Sequence, residues 1–440
     1  MQYKTFKGGI HPLAREKGGK TASKDVSTKE FISDTVIIPM SMHIGAPSKP
    51  CVNKGDYVKV GQVIGEPQGG LGLPVHASIS GTVISIDQKS LLSPGQVTCI
   101  TIQNDFKDEW VETKPLGSTI EEIDPKEIIP AIKNAGIAGM GGASFPTHIK
   151  LSVREGQHCD TIIANGCECE TFLTADNRLM IEEPEKVVNG LLIVLKAMNV
   201  TRGVIAIESN KPEAIKKIKN AAKSTNIEVV VLKTKYPQGG EKQLIQVITG
   251  KEVPTGKLPI DANTIVLNVG TCKAIRDAIF EGRPLIDRIT TVTGIVNNPG
   301  NLKVRIGTIL ADMVGECGGY SGEVGKIVSG GGMTGLSCPN EDIPVLKATS
   351  GFVIYPTAKS ISLAEEPCIR CGRCVEACPL RLDPYLLKNL CDAGKIEEAK
   401  LNNIMDCCFC GTCSYVCPSK RWITVSIKNT REIMKKEAKK

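Results

Sequence analysis

Between residues 125 and 285 the hydrophobic positions keep changing period. Short apolar runs at Thr161 to Ala164, Gly203 to Ile207, Glu228 to Leu232 and Thr264 to Asn268 read as strands. Between them, Glu185 to Met198 and Pro212 to Ala222 carry apolar residues at helical spacing. That alternation predicts a Rossmann-like α/β domain with a largely parallel sheet, whose sites lie beyond the strand C-termini. From 36 to 104 the texture is different: Val58 to Gly65 and Gly81 to Ile86 are short Val/Ile runs broken by Gly and Pro, as in a small all-β module. Residues 286–350 return to short β, with Thr291 to Val296, Val304 to Thr308, a helix through Val314 and a loop at Gly330 to Gly332. Residues 363–425 are helical in pattern at Asp383 to Leu390 and Ile396 to Ile404. Residues 1–35 are polar and aperiodic and read as an extended arm, and 426–440 as a basic tail. The chain is thus predicted to be multidomain α/β.

A length of 440 residues with 41% hydrophobic content suits about three domains. No run reaches the ~18 uninterrupted apolar residues that a membrane span needs, and Met1-Gln2-Tyr3-Lys4 opens no secretory leader. The 18 cysteines, without such a leader, point to a reducing compartment. The net charge of +7 owes much to local runs such as Lys435, Lys436, Lys439 and Lys440, read as a solvated tail rather than a lipid anchor. Aromatics are only 4% and not interleaved with basic residues, which argues against nucleic acid as a partner.

The cysteines carry the sharpest chemical signal. Cys368, Cys371, Cys374 and Cys378-Pro379 repeat in spacing as Cys407, Cys410, Cys413 and Cys417-Pro418. This is the spacing that holds paired cubane clusters, in which the fourth cysteine of each run ligates the other cluster. The expectation is two [4Fe-4S] clusters, one on Cys368, Cys371, Cys374 and Cys417, the other on Cys407, Cys410, Cys413 and Cys378. Zinc sites favour cysteine pairs across a long spacer, and disulfides an oxidising compartment. Cys391 and Cys408 fall off the pattern and read as spare thiols.

Gly136 to Lys150 packs glycines before a Phe-Pro turn. Glycine lets backbone N–H groups approach a phosphate, and a lysine adds charge, although such runs also make ordinary tight turns. No strand leads into the run, and Gly-x-Gly-x-x-Gly is absent. At the next strand end, Asn165 to Glu170 places Glu168 and Glu170 two apart; on an extended segment both would face one side and could accept from ribose hydroxyls or a carboxamide. His76, within Val75 to Val83, reads as a packed or surface histidine rather than a ligand.

With the tandem cysteine motifs, Gly136 to Lys150, Asn165 to Glu170, Leu173 to Met180, Lys235 to Ile245 and the opening Gly8 to Pro12, nearly the whole chain resembles the C subunits of Rnf electron-transport complexes. Its central part is similar to the NADH-binding flavoprotein subunit of respiratory complex I. The resemblance implies FMN phosphate on Gly139, Gly141, Gly142 and Lys150, further flavin contacts at Asn165, Glu168, Tyr236, Gly239 and Asn268, NADH contacts at Glu170 and Glu241, and nucleotide stacking on Phe145. This chain departs from the complex I pattern at Met140, Cys167 and Gly240, where that family has arginine, aspartate and glutamate. Residues 36–104 are similar to the barrel-sandwich hybrid of biotinyl and lipoyl carriers but lack a modifiable lysine motif, and 286–350 are expected to form a soluble-ligand-binding β-grasp scaffold.

The resemblance further implies an NAD-dependent oxidoreductase subunit that passes electrons between NAD(H), FMN and the clusters. It would sit peripherally on the cytoplasmic face of the cell membrane, docked to the membrane and iron-sulfur subunits of a ferredoxin:NAD+ oxidoreductase that moves Na+ or H+. The rival readings are a corrin (cobalamin) reductase of the same superfamily and a non-enzymatic ferredoxin-like adaptor with a vestigial nucleotide site.

Overall fold

The computed structural model describes residues 3–92, 95–360 and 363–437. Its centre is a four-stranded parallel sheet in the order Glu228–Leu232, Arg202–Glu208, Thr161–Gly166, Thr264–Asn268. The chain leaves Thr161–Gly166 toward one edge and returns on its other side as Thr264–Asn268. The crevice beyond these two strand ends is therefore the topological switch point, where ligands of open α/β sheets bind. All four strands and both helices expected from the hydrophobic period are present, the helices as Pro184–Met198 and Pro212–Ala221. Helix Pro184–Met198 buries Val187, Leu191 and Val194 and packs on Val269–Phe280. At their crossing a Cβ on Gly190 would lie 1.9 Å from the Cys272 carbonyl oxygen, so only glycine permits this approach.

The N-terminal β module consists of two small antiparallel sheets, one of Thr35–Pro39, Gln96–Asn104, Gly81–Ser90 and Tyr57–Val58, the other of Lys49–Pro50, Val63–Glu66 and Val75–His76. Its buried Val36, Ile38, Ile64 and Ile100 form one continuous core with Ile128, Ile162 and Leu191 of the α/β domain. His76 is packed, as expected, 7% exposed.

A six-stranded sheet forms the third unit, in the order Lys29–Phe31, Gly300–Arg305, Asp287–Gly294, Gly351–Pro356, Val324–Ser329, Leu336–Ser337. Two expected boundaries move here. The strand Gly351–Pro356 sits at the centre of this sheet, so the unit runs past 350. Lys29–Phe31 pairs in parallel with Leu302, Lys303 and Val304, so the arm is docked rather than free. Further back Ile10 bridges Tyr236, Gly9 N donates to Ala377 O at 2.9 Å, and Lys20 and Ser23 are buried. Polar composition concealed this because the arm is held by backbone pairing and buried side-chain hydrogen bonds, which leave no hydrophobic period.

The C-terminal unit is helical, built on Arg373–Ala377, Pro384–Asp392, Ile396–Leu401, Thr412–Tyr415 and Ile423–Glu437 around Leu387, Ile404, Ile423 and Ile427. The expected frayed tail is instead the last helix, which carries Lys435 and Lys436; Lys439 and Lys440 lie outside the described residues. Among the described residues no helix is long and apolar enough to cross a membrane.

Candidate functional site

The glycine run sits at the switch point. Helix Pro125–Asn134 leads into it, and Gly136 turns the chain with φ +65°. Gly139 N donates to Phe145 O at 2.9 Å and Thr147 N to Ile137 O at 3.0 Å, closing the loop. Gly141 lies against Asn268, where a Cβ would come within 2.7 Å of Nδ2, while a Cβ on Gly142 would meet nothing within 4 Å. That combination of a tightly seated and an open glycine suits backbone approach to a phosphate. Asn268 ends the strand Thr264–Asn268 and caps the following helix, accepting from Gly270 N at 2.7 Å, while its Nδ2 donates to Asp176 at 2.7 Å. Asn165 donates to Gly239 O at 2.9 Å, bringing those two together. Phe145 is half-buried at the loop's exit.

Lys150 and Glu241, expected to serve phosphate and NADH respectively, pair with each other at 2.8 Å, and Lys150 Nζ also donates to Val266 O at 2.9 Å. Glu241 opens the helix Glu241–Thr249.

The two carboxylates after Asn165 do not share a side. Glu168 adopts φ +46°, which breaks the extended geometry assumed from the alternation. It turns inward, accepts from Asp176 N at 2.7 Å and lies 4.0 Å from Lys20 Nζ. Burial pushes its carboxyl up to about 7, with Lys20 opposing. Glu170 instead accepts from Met333 N at 3.1 Å and bonds to Thr334 in the loop that follows Gly330 to Gly332.

Glu168, Glu170 and Tyr236 line a cavity of about 600 Å³ beneath the N-terminal arm, with Lys17, Lys20 and Lys211. Its floor is a buried charge network: Glu208 lies 3.5 Å from Lys211, and Lys20 donates to the carbonyls of Glu168 and Leu173 at 2.8 and 2.5 Å. Burial raises Glu208 and Asp176 and lowers Lys20. Sequence reading did not single out Lys20, Glu208 or Lys211, since they are far apart in the chain and in no motif; Asp176 lay inside the Leu173 to Met180 stretch.

The eight motif cysteines line two separate cavities. Cys368, Cys371, Cys374 and Cys417 line one cavity of about 120 Å³. Cys378, Cys407, Cys410 and Cys413 line another of about 20 Å³, which Cys408 also borders. Among the described residues no three His, Cys, Asp or Glu side chains converge as ligands of a single ion do. Cys167 and Cys169 belong to neither set: Cys167 is buried against Ala206 O, and Cys169 Sγ accepts from Gly239 N at 3.3 Å. Tyr236 joins the two regions. It is 3% exposed, and its hydroxyl donates to Cys410 O at 2.8 Å.

Family models match along most of this length: an RnfC barrel sandwich hybrid domain over residues 4–107, a Nuo51 FMN-binding domain over 132–277 and an SLBB domain over 289–337. The C subunit of the proton-translocating ferredoxin:NAD(+) oxidoreductase complex of Clostridium ljungdahlii is 45% identical over 92% of this chain and 88% of its own. Its counterpart in the Na(+)-translocating complex of Acetobacterium woodii is 43% identical over 100% of this chain and 99% of its own. Among solved structures, an NAD+-reducing [NiFe]-hydrogenase in the H2-reduced state shares the fold at TM-score 0.51 and 18% identity, covering 73% of this chain and 63% of that one. Matched end to end by such relatives, the chain belongs to the family of C subunits of ion-translocating ferredoxin:NAD(+) oxidoreductase complexes.

Proposed function

We propose that the chain is the peripheral NAD(H)-handling subunit of a membrane-bound ferredoxin:NAD+ oxidoreductase coupled to Na+ or H+ translocation, holding FMN and two [4Fe-4S] clusters. The observation that carries this reading is the Tyr236 hydrogen bond to Cys410 O at 2.8 Å, which binds the nucleotide half directly to the cysteine half.

The residues present fit the groups. For FMN, Gly141 and Gly142 would offer backbone N–H groups at the switch point, while Gly139, its own N–H held by Phe145 O, shapes the turn; Lys150 would supply the positive charge, and Asn165, Gly239 and Asn268 surround the crevice. When bound, FMN supplies the exchange between two-electron hydride chemistry and one-electron cluster chemistry. No side chain has to act as acid or base, so the protein's work is alignment and exclusion of water. NAD(H) enters from the cavity that Glu168, Glu170 and Lys17 line. The arm covers it.

Each cluster would have four thiols. The Cys378, Cys407, Cys410 and Cys413 set lies on the Tyr236 side and would hold the inner cluster. The other set includes the exposed Cys368 and Cys371, with Ile369 67% exposed between them, and would hold the outer one, toward the membrane and iron-sulfur partners on the cytoplasmic face.

An anaerobic NADH titration of the cluster-reconstituted chain, with FMN quantified after denaturation, tests the reading. Stoichiometric FMN that bleaches before or with the clusters is expected. Clusters without flavin, and no response to NADH, would reduce the chain to an electron adaptor.

A further inference from the structure

Among the largest fully buried side chains of the described residues is a lysine, Lys347, 1% exposed. It follows Ile343 and Val345 in the third unit, yet its Nζ leaves that unit and donates to Gly136 O at 2.7 Å, with Pro74 O of the N-terminal β module at 3.4 Å. Among the described residues no carboxylate pairs with it; burial alone acts on its amine, driving it down to about 7. A fully buried lysine amine whose partners are carbonyls of two other units ties those units to its own.

Arg288, 4% exposed and in the strand Asp287–Gly294, supplies the second contact. Its guanidinium donates to Lys347 O at 2.6 Å and to Met140 O at 3.5 Å. Thr271 accepts from Met140 N at 3.0 Å, and Ile44 N of the β module donates to Ser144 O at 3.1 Å. A glycine-rich loop has little conformational preference of its own. Here its entry, middle and exit are each held from outside. In a planar trans peptide the C=O and the next N–H point in opposite directions, so a guanidinium on Met140 O aims Gly141 N–H away from itself.

We infer that Lys347 and Arg288 are positioning residues, through which the six-stranded module sets the backbone of the glycine loop for its ligand. This rests on the reading of that loop as the flavin-phosphate site. It gives the six-stranded module, expected to be scaffolding, a direct part in the site. The N-terminal module joins it through Pro74 and Ile44.

The test compares parent, Lys347→Met and Gly142→Val as apo-flavin chains. FMN affinity is read by fluorescence titration, loop protection over residues 137–145 by hydrogen exchange, and integrity by cluster absorbance and melting temperature. Gly142→Val places its side chain in open space and should abolish FMN binding with the fold unchanged. Lys347→Met should raise the FMN Kd at least tenfold and speed exchange in the loop before any FMN is added, at unchanged cluster content. If Gly142→Val binds FMN like the parent, the phosphate site is elsewhere. If Gly142→Val fails to bind but Lys347→Met binds within twofold of the parent with parental loop exchange, the inference is wrong. Should Lys347→Met not accumulate folded, Arg288→Met decides: it removes the one donor shared by the Lys347 and Met140 carbonyls, so parental affinity and exchange in it would equally overturn the proposal.

Discussion

At Lys150 and Glu241 two roles assigned separately from the sequence turn out to be one ion pair. Such a partly exposed pair is worth at most about 1 kcal/mol, so either partner is readily released to a ligand. Glu241→Ala should therefore raise the NADH KM about tenfold, leave cluster content intact and, by freeing Lys150, leave FMN retention no weaker. Steady-state kinetics with an artificial acceptor, alongside flavin and iron analysis, check this; an unchanged KM would remove Glu241 from the nucleotide site. The residue scale also shows what local reading could not supply. Gly139, Gly141, Gly142, Asn165 and Asn268, singled out through the resemblance, lie around the crevice at the strand ends. Lys20, Glu208 and Lys211 were not legible, because burial created their importance. Glu168 was legible as a site residue but not in its geometry, since one left-handed φ reversed the face on which it lies.

At the scale of elements, the helix crossing at Gly190 governs how the α/β layer closes. Gly190→Ala would put a methyl group 1.9 Å from Cys272 O, and the helices must separate. A loss of about 1–3 kcal/mol is expected from such overpacking. Denaturant unfolding measures it, and a gain in stability, as helix propensity alone predicts, would show that the crossing has room for a methyl group. In the C-terminal unit the two cysteine sets sit in separate cavities, so Cys374→Ala should remove about half the cluster absorbance and spare NADH oxidation by an artificial acceptor. Simultaneous loss of both clusters and of flavin chemistry would show that the units do not hold their groups independently. The strands and long helices were readable from their periods, and the cysteine pairing from spacing. The docking of the arm was not, because the strand Lys29–Phe31 exists only where Leu302 to Val304 offer it an edge.

At the scale of the whole molecule, the N-terminal, α/β and six-stranded units meet where Lys347 reaches Pro74 and Gly136, and that junction carries buried bases. Burial lowers His76 to about 3 and His43 to about 4, and lowers Lys347 to about 7. Each binds fewer protons folded than unfolded across its window, so stability rises with pH there, by up to about 1.4 kcal/mol per unit for each group. Between pH 6.5 and about 4 the unfolded histidines take up protons that the folded ones refuse, and the protein should lose stability steadily on acidification. Above pH 7 the folded Lys347 is neutral while the unfolded chain still holds its proton, so this contribution grows toward pH 10.5. Melting temperatures measured across pH 4–9 in parent and His76→Gln check the acid limb, where the variant's slope should be shallower; parallel slopes would place the titrating groups elsewhere.

The sequence alone determined what is written in short-range order: strand and helix periods, the spacing of eight cysteines, and a glycine run followed by lysine. Spacing acts through local geometry, which a few consecutive residues specify by themselves. Only the tertiary structure decided that Glu168 and Glu170 turn to different partners, that the polar arm roofs a cavity, that Tyr236 reaches Cys410, and that a lysine more than 200 residues downstream holds the entry to the glycine loop. Those outcomes depend on burial, which prices an unpaired charge or carbonyl by its surroundings, and surroundings are assembled from distant parts of the chain.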